Sequence, residues 1–167
     1  GFLKKGGMVD KIWSAFNRSL IRKSERVIVL DENMKSKVRK YVDKSDLCKI
    51  QVISNWANGE YIKPMKKSNN PIIAKYHLED RYVVQYAGNF GLTHSLENIM
   101  QVAEKLKATK VFFLLVGEGA KQDRLRNIKE QKRLENVLIL PFQPKEDLPF
   151  VLSATDLSLI LLDKGFS

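Results

Sequence analysis

Two glycine loops carry residues whose types and spacing could bind an anion. The loop Gly88–Gly91 (GNFG) directly follows an apolar strand, and Gly117–Gly119 (GEG) follows the next one. Glycine lets a backbone turn sharply or approach a ligand closely, and the start of the next helix offers free N–H groups. Two glycines before a helix can also form an anion-binding nest. Both loops are also consistent with plain strand-to-helix turns, so spacing alone leaves their function open.

A third loop, Pro141–Pro144 (PFQP), follows a third apolar strand and could offer backbone groups and the Phe142 ring to a base. His94 lies within the first loop, where it could donate to a phosphate or simply be solvated. No Gly-Lys-Ser/Thr follows the glycines, and the third glycine of a dinucleotide fingerprint is missing. The sequence also shows no Ser/His/Asp constellation and no cluster with metal-ligand spacing.

The three loops lie within an alternation of strands and helices, identified from apolar runs and helical periodicity. The predicted strands are Tyr82–Ala87, Val111–Val116, Asn136–Leu140 and Leu157–Leu162, and the predicted helices are Ser95–Lys107, Ala120–Leu134 and Lys145–Ala154. This pattern predicts an α/β fold with a Rossmann-like parallel sheet that helices cover on both faces. Ligands bind at the carboxyl ends of the strands in such sheets, which is where all three loops would lie.

The first third of the chain has separate short elements. They are helices over 8–23 and about 32–42, the second capped by Asp31, and strands Val27–Leu30 and Ile50–Ile53. Trp13 and Phe16 fall on the face of the first helix that is predicted to be core. Residues 55–71 are rich in Asn, Gly, Ser and Pro, which predicts a linker between residues 1–54 and a second domain over 72–167.

Composition and charge exclude several classes of protein. The 167 residues are 44% hydrophobic and 29% charged, a globular balance that excludes collagen-like, mucin-like and wholly disordered chains. The single cysteine, Cys48, permits no intrachain disulfide and favours a reducing compartment. The net charge is +10, and residues 1–54 hold 13 Lys and Arg against six Asp and Glu. No apolar run approaches the ~20 residues of a membrane helix.

Taken in order, the loops closely resemble the carboxyl-terminal domain of glycosyltransferase family 4, which has the GT-B fold. The resemblance rests on YxGN at 86–89, FLLVGEG at 113–119, NVLILPF at 136–142 and SATD at 153–156. Residues 26–30 and 52–56 resemble the end of the acceptor domain and the hinge of that family. The resemblance spans about residues 8–163 and looks nearest to a bacterial branch of fucosamine-transferase-like enzymes of surface polysaccharide assembly.

The resemblance implies a retaining transferase that uses a nucleotide-sugar donor, usually UDP-linked, with no metal and no cofactor. Its acceptor would be a glycan or a polyprenyl-linked glycan. The donor-binding residues that it implies are Gly88, Asn89, Phe90, Gly91, His94, Gly117, Glu118, Gly119, Phe142 and Gln143. The first loop would face the diphosphate, the second would lie beside the nucleotide, and Phe142 with Gln143 would flank the uracil.

Two departures from the family pattern bear on the expected activity. Asn89 and His94 stand where family members often carry an Arg and a Lys, and the family's Glu-x₇-Glu segment is expected after Ser167. We therefore expect a central part of a longer enzyme, inactive by itself, with its catalytic residues elsewhere. The alternatives are a UDP-sugar epimerase of the same fold, and a basic module that binds membrane or nucleic acid.

The basic region 1–54 leads to expectations about location and partners. We expect a cytoplasmic protein that contacts the inner face of the membrane peripherally through this charge. Nucleic acid is not an expected partner, because Trp13 and Phe16 are predicted to face a core and so cannot stack on bases. Residues 8–54 are expected to expose apolar surface and unpaired strand edges, and thus to self-associate.

Overall fold

The computed structural model describes residues 7–161. The chain divides into two compact units, Gly1–Ala57 and Asn58–Ser167, and the division falls inside the segment predicted to be a linker.

The first unit contains two short parallel strands and two helices. In chain order they are α1 (Met8–Lys23), β1 (Val27–Val29), α2 (Glu32–Val38) and β2 (Ile50–Val52), and β1 pairs with β2. The predicted cap is confirmed, because Oδ1 of Asp31 accepts the N–H of Met34 at 2.6 Å. Helix α2 ends at Val38 rather than near residue 42 and continues as a 3₁₀ turn over Arg39–Tyr41.

Much of the apolar surface of the first unit is exposed. Val29 and Ile50 are buried, but Trp13 is 57% exposed and Phe16 is 52% exposed. The prediction that these rings face a core is wrong within residues 7–57, because two three-residue strands offer too little surface to cover a 16-residue helix. The expectation of exposed apolar surface is confirmed, and the argument against nucleic-acid binding from buried rings no longer holds.

The second unit is built on a four-stranded parallel sheet. Its elements are α3 (Pro71–Lys75), β3 (Tyr82–Ala87), α4 (Leu96–Lys105), β4 (Val111–Val116), α5 (Gln122–Gln131), β5 (Val137–Leu140), α6 (Leu148–Ser153) and β6 (Leu157–Ser158). The strand order is β5-β4-β3-β6, and every pair is parallel. The predicted α/β fold with a Rossmann-like parallel sheet is confirmed.

Helices cover both faces of this sheet, because the strands alternate their side chains. Val84 and Tyr86 pack with α4 and α5 residues on one face, and Val83 packs with Ile73 of α3 and Val151 of α6 on the other. Even the buried polar Gln85 is paired, since its Nε2 donates to the Val151 carbonyl at 2.7 Å. The central strands β3 and β4 are therefore largely buried on both sides, as their near-continuous apolar sequences predicted, whereas the short edge strand β6 is exposed.

Three elements of the second unit differ from the predictions. The segment read as the end of the linker contains a 3₁₀ turn (Lys67–Asn69) and helix α3, which begins at Pro71. The predicted helix over 145–154 is a 3₁₀ turn (Lys145–Asp147) followed by the shorter α6. Strand β6 covers only Leu157–Ser158, and the predicted strand end at Leu162 lies outside the described residues.

Asn70 fixes where helix α3 begins, at the end of the segment that was predicted to be a linker. Its Oδ1 accepts the N–H groups of Ile72 at 2.9 Å and Ile73 at 3.3 Å, which caps α3. Its Nδ2 donates to the Phe150 carbonyl at 2.8 Å and to the Ser153 hydroxyl at 3.0 Å. One buried amide thus fixes the start of α3 and joins it to α6.

Candidate functional site

The three loops lie side by side at one edge of the sheet. Ala87, the last residue of β3, pairs with Val116, the last of β4, and Val116 pairs with Leu140, the last of β5. The loops that follow these strands therefore leave the carboxyl edge in register. Strand β6 lies on the other side of β3, so the chain reverses its direction of winding beside the first loop. Parallel sheets bind ligands in the crevice at this kind of reversal.

Backbone hydrogen bonds join the first two loops. The Gly88 N–H donates to the Val116 carbonyl at 2.9 Å, and the Phe90 N–H donates to the Glu118 carbonyl at 2.8 Å. The Gly117 N–H continues the series toward the third loop by donating to the Leu140 carbonyl at 2.9 Å. The glycine loops thus extend the sheet beyond its strand ends as one hydrogen-bonded layer.

Glycine is required in the second loop by close approach as well as by backbone conformation. Gly117 has φ +150° and Gly119 has φ +147°, values that residues with a side chain rarely adopt. A Cβ on Gly117 would overlap the Gly88 carbonyl oxygen, and one on Gly119 would lie 2.8 Å from the Phe90 carbonyl oxygen. These glycines therefore allow the second loop to pack directly on the first.

Phe90 anchors the first loop and does not face a ligand. Its side chain is 0% exposed and packs in the core beneath the loop. Its N–H and carbonyl are both engaged, the carbonyl accepting the N–H of Lys121 at 3.0 Å. We therefore revise its predicted role from ligand contact to support.

Asn89 and Gly91 hold the donors that the first loop leaves free. Within residues 7–161, neither backbone N–H donates a hydrogen bond, and the Asn89 side chain is exposed. The Asn89 carbonyl is fixed from below by the Tyr86 hydroxyl, which donates to it at 2.9 Å. Burial raises the pKa of Tyr86 above its ordinary value, so this phenol stays protonated. Two amide N–H groups on a fixed loop are suited to binding an anion.

His94 and the third loop complete the edge. The His94 ring is half-buried, 6.1 Å from the Tyr86 ring, and its Nδ1 lies 3.4 Å from the Thr93 hydroxyl. In the third loop, Phe142 is 56% exposed, while the Gln143 amide folds back to donate to the Pro141 carbonyl at 2.8 Å. The predicted residues of the first two loops are therefore in direct contact, and those of the third loop follow the adjacent strand.

A group of charged residues beneath the first loop was not identified from the sequence. Nζ of Lys121 lies 2.9 Å from Oε2 of Glu97, and Nε of Arg124 lies 3.3 Å from Oε1 of the same carboxylate. Burial disfavours the charged form of Glu97, but the hydrogen bond from Lys121 and the two positive charges outweigh it and hold its pKa below the ordinary value. The only signal in the sequence was the position of Lys121 two residues after the GEG loop, and nothing indicated that Glu97 is its partner.

The described residues contain neither a group of metal-binding side chains nor a helix that could span a membrane. Between residues 7 and 161, no three or more His, Cys, Asp or Glu side chains are grouped as metal ligands would be. In the same range, none of the helices combines the length and apolar character needed to cross a membrane.

Comparison with known proteins shows the family to which a chain with this parallel sheet and these three loops belongs. The family model for glycosyl transferases group 1 matches residues 68–164, which is more than half of the chain. The chain therefore belongs to the glycosyl transferases group 1 family. This agrees with the GT-B resemblance predicted from the loops.

Two curated bacterial proteins are similar along nearly the whole chain. "Putative colanic acid biosynthesis glycosyl transferase WcaI" of Escherichia coli (strain K12) is 26% identical over 164 residues, covering 96% of this chain and 40% of the relative. "Probable glycosyltransferase WbjE" of Pseudomonas aeruginosa is 24% identical over 165 residues, covering 99% and 41%. The chain thus spans about two fifths of the length of these relatives.

Solved structures confirm the GT-B fold. Anabaena Alr3699/HepE, crystallised in complex with UDP-glucose, matches with a TM-score of 0.68 at 17% identity, covering 87% of this chain and 41% of that one. WaaG, a glycosyltransferase involved in lipopolysaccharide biosynthesis, matches with a TM-score of 0.67 at 14% identity, covering 95% and 44%.

Proposed function

We propose that the second unit binds the nucleotide-sugar donor of a retaining, metal-independent glycosyltransferase. The whole enzyme would transfer a hexosyl or N-acetylhexosaminyl group from a UDP-linked donor to a glycan or polyprenyl-linked acceptor in polysaccharide synthesis. The observation that carries the proposal is the alignment of three loops at the carboxyl edge of β3, β4 and β5, with free amide N–H groups at Asn89 and Gly91.

Each loop has a role in this proposal. The amides of Asn89 and Gly91, with His94, bind the diphosphate, because N–H donors on a fixed loop match phosphate oxygens. Gly117, Glu118 and Gly119 lie beside the nucleotide. In the third loop, the exposed Phe142 ring and the Gln143 backbone flank the uracil, since an aromatic ring stacks on a base.

The related proteins support the UDP donor and the polysaccharide product. HepE was crystallised with UDP-glucose, WcaI is named for colanic acid biosynthesis, and WaaG for lipopolysaccharide biosynthesis. Family membership favours a transferase over a UDP-sugar epimerase of the same fold. The fucosamine-transferase-like branch remains our proposal from the loop sequences alone.

We assign the first unit to the tail of an acceptor domain that contacts an anionic membrane surface. Helix α1 exposes an apolar side and also carries four cations, Lys11, Arg18, Arg22 and Lys23. Each basic side chain near such a surface contributes about 1 kcal/mol. A peripheral position on the cytoplasmic face would bring the enzyme to a polyprenyl-linked acceptor.

Vesicle co-sedimentation tests this membrane contact. Binding to vesicles containing phosphatidylserine should fall steeply with salt and should weaken when all four cations of α1 are changed to Gln. Changing four basic residues of the second unit, Lys105, Lys107, Lys110 and Arg126, is the matched control. Binding that is indifferent to salt, or equal loss in both variants, would contradict the assignment.

Calorimetric titration tests the donor site. We expect the chain to bind UDP with a millimolar dissociation constant, which corresponds to about 4 kcal/mol. Uridine should bind more weakly, because it offers no phosphate to the Asn89 and Gly91 amides. Equal binding of UDP and uridine would contradict the diphosphate assignment.

A further inference from the structure

Segment 91–95, which leads from the first loop to the start of α4, is held differently from the loop itself. Phe90 is buried and hydrogen-bonded to the second loop, whereas Leu92, two residues later, is 73% exposed. The N–H groups of His94 and Leu96 donate only to carbonyls nearby in the chain, those of Gly91 and His94. These local bonds, with the one from the Asn98 N–H to the Ser95 carbonyl, join the turn to the start of α4 but not to the second loop.

Lys121 supplies that attachment. Its Nζ donates to the His94 carbonyl at 2.7 Å, and within residues 7–161 this is the only hydrogen bond that joins segment 91–95 to a residue distant in sequence. The side chain is only 13% exposed. The backbone N–H of Lys121 donates to the Phe90 carbonyl, so this single residue holds both the first loop and segment 91–95.

Glu97 holds the ammonium group of Lys121 in this position. It lies in the first turn of α4, directly after the loop, and its side chain is 19% exposed. Arg124 contacts the other carboxylate oxygen, so two cations share one anion. The hydrogen bonds of a largely buried ammonium group to a carbonyl and a carboxylate are charge-assisted, and such bonds are stronger than neutral ones.

We propose that Lys121, oriented by Glu97, is a positioning residue that holds segment 91–95 in the geometry that binds the diphosphate of the donor. This inference rests on the proposed donor site. In it, Lys121 acts through the His94 carbonyl rather than by contacting the phosphates. The two glycine loops and the residues that follow each of them, 88–95 and 117–120, contain no Lys or Arg. Phosphate binding therefore depends on how well the N–H groups of these segments are placed.

A pair at the far end of the same two helices provides a matched control. Lys132, at the end of α5, forms an ion pair with Glu104 of α4 and lies outside the site. Lys132→Gln therefore removes an α4–α5 ion pair, as Lys121→Gln does, without touching the loop. An effect that is merely structural should appear in both variants.

The first measurement requires no nucleotide. Amide hydrogen exchange on the full chain compares the unchanged protein with the variants Lys121→Gln, Glu97→Gln and Lys132→Gln. We expect faster exchange at His94 and Leu96 in the first two variants only. Unchanged exchange in Lys121→Gln would overturn the proposal, whatever the result with nucleotide.

The second measurement is UDP affinity by calorimetry. Lys121→Gln and Glu97→Gln should each weaken UDP binding about threefold to tenfold, less than the direct loss of a charge-assisted bond to the ligand would give, because Lys121 acts through the loop. Lys132→Gln should bind as the unchanged chain does. Tighter binding by Glu97→Gln would overturn the positioning role, since it would show that Lys121 attracts the phosphates by charge alone. If the unchanged chain binds no UDP, the donor assignment itself fails, and the exchange data decide separately whether Lys121 holds the loop.

Discussion

Replacing Gly117 with alanine should disrupt the contact between the two glycine loops. The residue has φ +150°, which costs a residue with a side chain about 1–3 kcal/mol. The added methyl group would overlap the Gly88 carbonyl oxygen and would lie 3.2 Å from the buried Phe90 ring, so backbone must move, at a further cost of about 1–3 kcal/mol. We therefore expect the second unit to lose about 2–6 kcal/mol of unfolding free energy.

Urea unfolding followed by the NMR signals of β3 and β4 measures this loss, because those signals report on the second unit alone. Gly59→Ala is the control, since an added Cβ there meets nothing within 4 Å and its φ lies outside the restricted range. We expect that variant to stay within about 1 kcal/mol of the unchanged chain. Similar stability of both variants would refute the argument that close loop packing requires Gly117.

Three further predictions concern stability and association. Asn70→Ala should destabilise the second unit by about 2–4 kcal/mol in urea unfolding, because it removes a helix cap and the two bonds that Nδ2 donates to α6. Exposed Asn69→Ala should change it by less than about 0.5 kcal/mol, and equal effects would contradict the role of Asn70. Burial opposes ionisation of Asp156, but hydrogen bonds from Lys67 and the Val83 N–H outweigh it and lower its pKa. The stability that ionised Asp156 contributes is therefore present above the unfolded pKa of about 3.9 and is lost as pH falls through the lower folded pKa. In unfolding titrations from about pH 6 to 2, Asp156→Asn should reduce the acid-induced loss of stability, whereas the control Asp80→Asn should not. Parallel curves for the two variants would contradict this role of Asp156. Sedimentation should show self-association that Phe16→Lys reduces and Leu92→Lys, at an exposed apolar residue of the other unit, does not; a strictly monomeric chain at high concentration would refute it.

The sheet and the position of the candidate site could be predicted because local sequence determines them. The strands β3 and β4 are near-continuous apolar runs that end directly before Gly88 and Gly117, so their bounds and their parallel arrangement could be predicted from the sequence. Once the strands are parallel, all three loops must lie at the carboxyl edge. The structure adds that Gly117 and Gly119 serve the contact between loops.

The features that were missed depend on contacts distant in sequence. Asn70 followed by Pro71 is a recognisable helix start, but in a turn-rich segment only packing against Phe150 and Ser153, about 80 residues later, decides between helix and linker. Phe90 was predicted as a donor-binding residue from the family resemblance, and the burial of its ring depends on α4 and α5, which the loop sequence alone does not show. The Lys121–Glu97 pair joins residues 24 apart on different helices, a spacing that no local pattern marks.

The most direct test of the central claim is a UDP titration of the full chain followed residue by residue in NMR spectra. Our account predicts that the perturbed amides cluster at Gly88–Gly91, Gly117–Gly119 and Phe142–Gln143, the three loops at the carboxyl edge. Perturbations confined to residues 8–54, or spread over the second unit without these loops, would contradict it.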